Sequence, residues 1–201
     1  MAKFKVPVGI SNRHVHLTQE HLELLFGPGY QLTKLKDLSQ PGQFASEETV
    51  TLVGPKGSMD GVRVLGPVRK ASQVELAATD TFKLGVRPPV RDSGDLLGTP
   101  GIEIVGPVGK IRLERGVIVA ARHIHMSPRD AVACGLRDGD HIEIEVPGER
   151  GGVFENVLIR VSPHYALDMH LDTDEGNAFS LKTGQILEVT VDPRQRQRAA
   201  V

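Results

Sequence analysis

One short pattern occurs twice in this chain. Arg13-His14-Val15-His16-Leu17 lies in the first half and Arg122-His123-Ile124-His125-Met126 in the second, and together they hold four of the eight histidines. Each copy leads into a helix-start residue, Thr18 or Ser127. In an extended strand, residues i and i+2 point to the same face. Paired imidazoles about 6–7 Å apart along such a strand can converge on one cation. The duplication is the strongest constraint on the fold. It requires two related halves, carrying either two related metal sites or one site with two metals.

The segments around these pairs predict a mostly β chain. Short β-branched runs separated by Gly and Pro recur at 6–10, 49–53, 62–65, 101–105, 117–121, 141–146, 153–161 and 186–191, the pattern of a barrel or sandwich of short strands. Three short helices are expected. Thr18 caps residues 19–26, Ser127 caps a helix with Pro128 at its first position, and Ser162-Pro163 gives the same signal before residues 165–169. The domain division expected is 1–100 for the first half-repeat and 101–192 for the second. A frayed basic tail, 193–201, contains Arg194, Arg196 and Arg198. Strand exchange between the halves is allowed for, and 90–100 reads as the joining loop.

The repeat also suggests third ligands. Each half returns with a strand ending in proline, at Pro67 and at Pro163. Glu75 follows the first by eight residues and His170 the second by seven, so with one gap they are equivalent. Each half then supplies His-x-His plus one distant donor. Three protein donors with an open fourth position is the catalytic form of a zinc site. His21, His141 and His164 have no such company and read as ordinary histidines. Residues 172–176, Asp-Thr-Asp-Glu-Gly, lack the ligand pattern of a calcium loop and read as a charged turn. Arg69, six residues before Glu75, reads equally as the partner of a bound anion, since a guanidinium beside dications is otherwise repelled, or as one side of an ion pair with a nearby acid. Lys36, Lys56 and Arg63 could extend this into a patch for a larger phosphorylated ligand.

Composition excludes several classes. With 39% hydrophobic residues, 24% charged and a net charge of −1, nothing indicates a nucleic-acid surface. No run approaches the roughly 20 apolar residues of a membrane span. The single cysteine, Cys134, permits no intrachain disulfide. It sits at the end of a short helix, where a buried structural thiol is expected.

Taken together, several segments resemble the PduL-type phosphotransacylases, the phosphate propanoyltransferases, over nearly the whole chain. They are Ser11-Asn12-Arg13-His14-Val15-His16-Leu17, Lys36 to Phe44, Val62 to Arg69, Gln73-Val74-Glu75, Ala121 to Met126, and His170 to Asn177. The resemblance implies two β-barrel domains with short helices and a dinuclear zinc site. One metal is held by His14, His16 and Glu75, the other by His123, His125 and His170, the same partition that the repeat suggests. It implies that Arg69 binds phosphate. It also implies that Ile10, Ser11, Asn12, Lys36 or Lys56, Arg63, Leu65 and Asn177 contact coenzyme A. The activity expected converts short acyl-CoA, propanoyl or acetyl, plus phosphate to acyl phosphate plus coenzyme A, by direct attack of metal-bound phosphate, as in propanediol degradation. Members packaged in microcompartments carry an N-terminal extension. Only about five residues precede the first strand here, so a free cytoplasmic enzyme is expected, and a homodimer is compatible with this. The competing expectations are a dinuclear metallohydrolase and a non-enzymatic zinc-binding barrel closed by a fourth ligand on each ion.

Overall fold

The computed structural model describes residues 2–191 and the backbone of 197–198. The expected basic tail, 193–201, otherwise lies outside the described residues. In chain order the elements are β1 (Ala2–Ser11), β2 (His14–His16), α1 (Gln19–Phe26), β3 (Lys34–Asp37), β4 (Phe44–Val53), β5 (Ser58–Gly66), β6 (Gln73–Leu76), α2 (Ala78–Leu84), β7 (Val90–Arg91), β8 (Ile102–Val105), β9 (Lys110–Leu113) and β10 (Val117–Ala120). Then come β11 (His123–Met126), α3 (Pro128–Cys134), β12 (Asp140–Val146), β13 (Gly152–Val161), β14 (Asp168–Asp172), α4 (Thr173–Ala178), β15 (Ile186–Val191) and β16 (Gln197–Arg198). The chain is mostly strand, in two barrel-like sheets with short helices.

Two compact units form. One contains residues 1–11, 39–41 and 121–201, the other 12–38 and 42–120. The first unit holds a seven-stranded sheet in the order β15-β1-β14-β11-β13-β12-β16. Its β12 also packs against β15, so the sheet curls back on itself. The second unit holds a nine-stranded sheet in the order β7-β10-β6-β2-β5-β4-β8-β9, with β3 also paired to β4. The half-repeats and the compact units divide the chain differently. The strand before each His-x-His joins the other pair's unit. Thus β1 pairs with β14 and β10 pairs with β6, both in parallel.

Each unit has its own core. Alternation is clear where one strand face meets it: β15 reads exposed, buried, exposed, buried along its length, and β9 does the same. Val15 and Ile124, between the paired histidines, are fully buried in the two separate cores. Burying such a side chain stabilises by roughly 1.5–3 kcal/mol. The two-residue period then sends both histidines of each pair to the opposite face.

The helix caps at Thr18 and Ser127 are present. The Thr18 hydroxyl accepts the His21 amide at 3.1 Å and that of Ser127 accepts Asp130 at 3.2 Å. The helix expected at 165–169 is not. Ser162-Pro163 instead opens a turn, in which Tyr165 N donates to Ser162 O at 3.1 Å, and 168–172 pairs as β14 with strands on both sides. Ser-Pro suits a turn as well as a helix start, and pairing with two strands wins. The charged turn expected at 172–176 is in fact the beginning of α4. Asp172 accepts the Glu175 amide at 2.8 Å and Glu175 accepts the Asp172 amide at 3.1 Å, a reciprocal capping box. The helix α2 has no expected counterpart. Among the described residues, no helix is long and apolar enough to cross a membrane.

Cys134 is 7% exposed at the end of α3, and burial, with Asp130 nearby, raises its thiol pKa. Reactivity follows thiolate content and access. Native protein is therefore expected to label with a disulfide reagent far more slowly than the urea-unfolded chain. Equal rates in the two states would place the thiol at the surface.

Candidate functional site

The strand pairing around the two His-x-His segments is the same. β2 lies between β5, in parallel, and β6, antiparallel. β11 lies between β13, in parallel, and β14, antiparallel. The register places His14 opposite Glu75 in one sheet and His123 opposite His170 in the other. Residues directly opposite in an antiparallel pair have Cβ atoms about 4.5–5.5 Å apart, close enough to share one ion. The two groups, His14/His16/Glu75 and His123/His125/His170, each offer three donor atoms within 4.8 Å of one another. No other such trio exists among the described residues.

In the glutamate-containing group, His14 Nε2 is 3.4 Å from Glu75 Oε2 and His16 Nε2 is 3.9 Å from Glu75 Oε1. Donors about 2.0–2.2 Å from a tetrahedral zinc lie roughly 3.4 Å apart, so the spacing suits one cation. His14 Nδ1 is 2.8 Å from the Asn12 carbonyl. Donation to that carbonyl directs the Nε2 lone pair to the cluster. Burial works to raise the Glu75 pKa, but the adjacent His14 and His16 outweigh it and hold the carboxyl well below its usual range. Burial likewise opposes protonation of His14, yet Glu75 wins and raises its pKa. At His16, burial and then the charges of His14 and Arg69 push the pKa well down.

The all-histidine group is built alike. His123 Nδ1 is 2.8 Å from the Ala121 carbonyl, two residues before it as Asn12 is before His14. His123 Nε2 and His125 Nε2 lie 3.1 Å apart. The His125 ring is 4.8 Å from that of His170. Burial, then the charges of His123, His170 and Arg160, lowers the His125 pKa to about 2. It is neutral at ordinary pH, as a ligand must be. Buried Nδ1 atoms of His16 and His125 have no hydrogen-bond partner. A buried imidazole held neutral, with an unsatisfied ring nitrogen, in each cluster fits a metal ion better than the rings fit one another.

A polar network unforeseen from sequence surrounds Glu75. Ser93 Oγ donates to Glu75 Oε1 at 2.9 Å and accepts from Gln73 Nε2 at 2.9 Å and from Arg69 Nη1 at 3.3 Å. Gln73 Nε2 also donates to Glu75 Oε1, and its Oε1 accepts the Gly94 amide at 2.8 Å. Arg69 is thus held beside the cluster, as its sequence position suggested. The expected joining loop contributes Ser93 to this site. The only legible signal was Gln73's spacing, two residues from Glu75 on the same face.

The arginine before each His-x-His has a matched role. Arg13 Nη2 is 2.8 Å from Asp80 Oδ1, and Arg122 Nη1 is 2.8 Å from Glu175 Oε1. Each acid lies five residues beyond the third candidate donor, in the first turn of α2 or α4. Each pair ties the approach to a histidine strand to the helix that follows the ligand strand.

The residues proposed to contact coenzyme A divide between the units. Ile10, Ser11 and Asn177 belong to one. There the Ser11 hydroxyl donates to Leu171 O at 3.2 Å, and Ile10 packs over Gly176. Asn12, Lys36, Lys56, Arg63 and Leu65 belong to the other. Lys36, Ala45 and Leu65 form one row across β3, β4 and β5, and Arg63 pairs with His14 on β2. Lys56 does not join them. It lies beyond Val53 at the far end of the β4–β5 hairpin, its amide donating to Leu84 O at 3.1 Å. Eight strand positions, about 26 Å, separate that end from the Lys36 row.

Each of the two barrel-like β units carries a three-donor cluster, a candidate metal site, on one strand-pairing scheme. A family model described as phosphate propanoyltransferase matches residues 7–182. The chain is 60% identical over 183 residues to the phosphate propanoyltransferase of Thermotoga maritima, covering 90% of this chain and 87% of that protein. It is 56% identical to that of Lachnoclostridium phytofermentans, covering 92% and 87%, and 53% identical to that of Rhodopseudomonas palustris, covering 92% and 82%. The chain belongs to the phosphate propanoyltransferase family. It is an acyltransferase, which sets aside the non-enzymatic zinc-module expectation.

Asp80 is 5% exposed, so removing Arg13 strands a buried carboxylate. Arg13→Ala is expected to cost about 1–3 kcal/mol in urea unfolding. In a double-mutant cycle with Asp80→Ala the losses should be clearly less than additive. Additive losses would mean that the pair is not coupled.

Proposed function

We propose that this acyltransferase moves a short acyl group, propanoyl or acetyl, reversibly between coenzyme A and inorganic phosphate. The observation that carries the reading is the pair of register-matched three-donor clusters, one of them tied through Ser93 to Arg69. His14, His16 and Glu75 would hold one divalent ion, and His123, His125 and His170 the other, with zinc the ion that suits these donors. Such ions, when bound, offset the charge of phosphate and polarise the oxygens they touch.

The protein's own groups account for the rest. Arg69's planar fork matches a phosphate in two-point contact, and its bond to Ser93 fixes where the fork points. Held so, a phosphate oxygen attacks the thioester carbonyl carbon. The C–S bond then breaks and coenzyme A leaves as thiolate. A thiol pKa near about 8.5 means that departure needs no strong acid. In this reading Arg69 would also partner the negative charge that develops as phosphate attacks. Lys36, Arg63 and Leu65, with Asn12, Ile10, Ser11 and Asn177, are the residues we assign to coenzyme A. Lys36 is preferred to Lys56 because it shares the Leu65 row. No acyl-enzyme is required, and the buried Cys134 is unsuited to form one.

Thiol release from propanoyl-CoA and acetyl-CoA is expected to depend on added phosphate. Release of free acid without phosphate would identify a metallohydrolase instead. About two metal ions per chain are expected, and replacing His123 and His125 together should remove one. One ion or none in fully active protein would refute the two-site reading.

Arg69→Ala removes a charge-assisted contact worth roughly 1.5–3 kcal/mol, so turnover should fall about ten- to a hundredfold. Metal content and coenzyme A binding should stay near wild type. Arg69→Lys should restore only part of the rate, because an ammonium cannot reproduce the two-pronged contact. Loss of coenzyme A affinity with unchanged phosphate kinetics would move Arg69 into the nucleotide patch.

A further inference from the structure

The two ligand strands differ in where they carry their carboxylate. On β6, Glu75 lies opposite His14, and Gln73 lies opposite His16. On β14, the equivalent positions are His170, opposite His123, and Asp168, opposite His125. The acid has moved two residues along the strand, to a position on the same face. Each cluster therefore has one carboxylate across these two positions. In one it is a donor, while in the other it stands behind a histidine.

Asp168 is 3% exposed, and its Oδ2 is 2.9 Å from His170 Nε2. The Ser39 hydroxyl also approaches that nitrogen, at 3.4 Å. A carboxylate so deeply buried is costly without a partner. Among the described residues no lysine or arginine lies within ion-pair distance of it; His170 does. Room for the pair comes from β1. Gly9 faces His170 in the parallel register. A Cβ at Gly9 would lie 3.1 Å from Asp168 Oδ2 and 3.2 Å from His170 Cδ2.

We infer that Asp168 is a positioning residue of the all-histidine site. It accepts the N–H of His170 Nε2, holds the ring in the tautomer with its lone pair on Nδ1, and supplies the negative charge that Glu75 gives the other site. The chemistry follows from the donor sets. Three neutral imidazoles offset neither charge of a buried dication, whereas two imidazoles and a carboxylate offset one of the two. A carboxylate behind a ligating histidine restores the charge and raises the ring's basicity. The inference rests on the two-metal reading above.

The first test needs no substitution. In metal-free protein labelled with 15N-histidine, long-range proton–nitrogen spectra should show His170 protonated on Nε2. A ring protonated on Nδ1 would overturn the inference. The second is chelator competition with zinc, independent of turnover. Asp168→Asn should weaken one of the two affinities about ten- to a hundredfold and leave the other unchanged. Two unchanged affinities would overturn it. Gly9→Ala, which crowds the pair from β1, should weaken the same site, and it serves if Asp168→Asn fails to fold. Wild-type protein that binds fewer than two zinc ions would bring down the two-metal reading itself, and this inference with it.

Discussion

The antiparallel register between each His-x-His strand and its ligand strand is the constraint on which the rest depends. It sets His14 against Glu75 and His123 against His170. A slip of one residue would turn every side chain of the ligand strand to the other face. The register is guarded by burial. Val15 faces Val74 and Ile124 faces Met169, all fully buried. A slip would exchange these apolar contacts for buried histidines and acids. Hydrophobic packing on one face thus fixes the position of the polar donors on the other.

Around this pairing the same supports are repeated. A parallel strand flanks each His-x-His, a capped helix follows it, and another helix follows the ligand strand. The arginine before each pair bonds to an acid in that second helix, as Arg13 does to Asp80 and Arg122 to Glu175. A backbone carbonyl two residues before the first histidine holds its Nδ1. Each unit also takes one strand from the other half of the chain, β1 or β10, to cover the outer edge of its ligand strand. Two short strands alone would be marginal. Set within a sheet, they hold three side chains in fixed relation.

The scaffold is duplicated, but the chemistry around it is not. Glu75 is gripped by Ser93 and Gln73 and reaches Arg69 through the serine. The other cluster instead has Asp168 behind His170, with Tyr165 against His125 at 4.2 Å between ring centroids. Burial keeps His125 and His16 neutral, while the neighbouring histidines keep Glu75 ionised. Those three donors are therefore in the protonation state that a cation requires.

The sequence alone showed the repeated motif, pointed to the six candidate donors and foretold the predominance of strands. These are short-range patterns: a two-residue period, a capped helix start, a spacing counted from a proline. It could not reveal what long-range pairing decides. Residues 165–169 carried a helix signal, yet 168–172 became β14, because pairing with β1 and β11 outweighs a local cap. Asp172 and Glu175 read as a turn until their reciprocal hydrogen bonds made a helix start. Ser93 lay in what looked like a connecting loop, and only the fold brings it across eighteen residues to Glu75. Asp168 stood two residues from His170 in plain view. Its burial and its place opposite His125 come from tertiary structure, because a carboxylate's role depends on which charges and how little water the surrounding strands leave beside it.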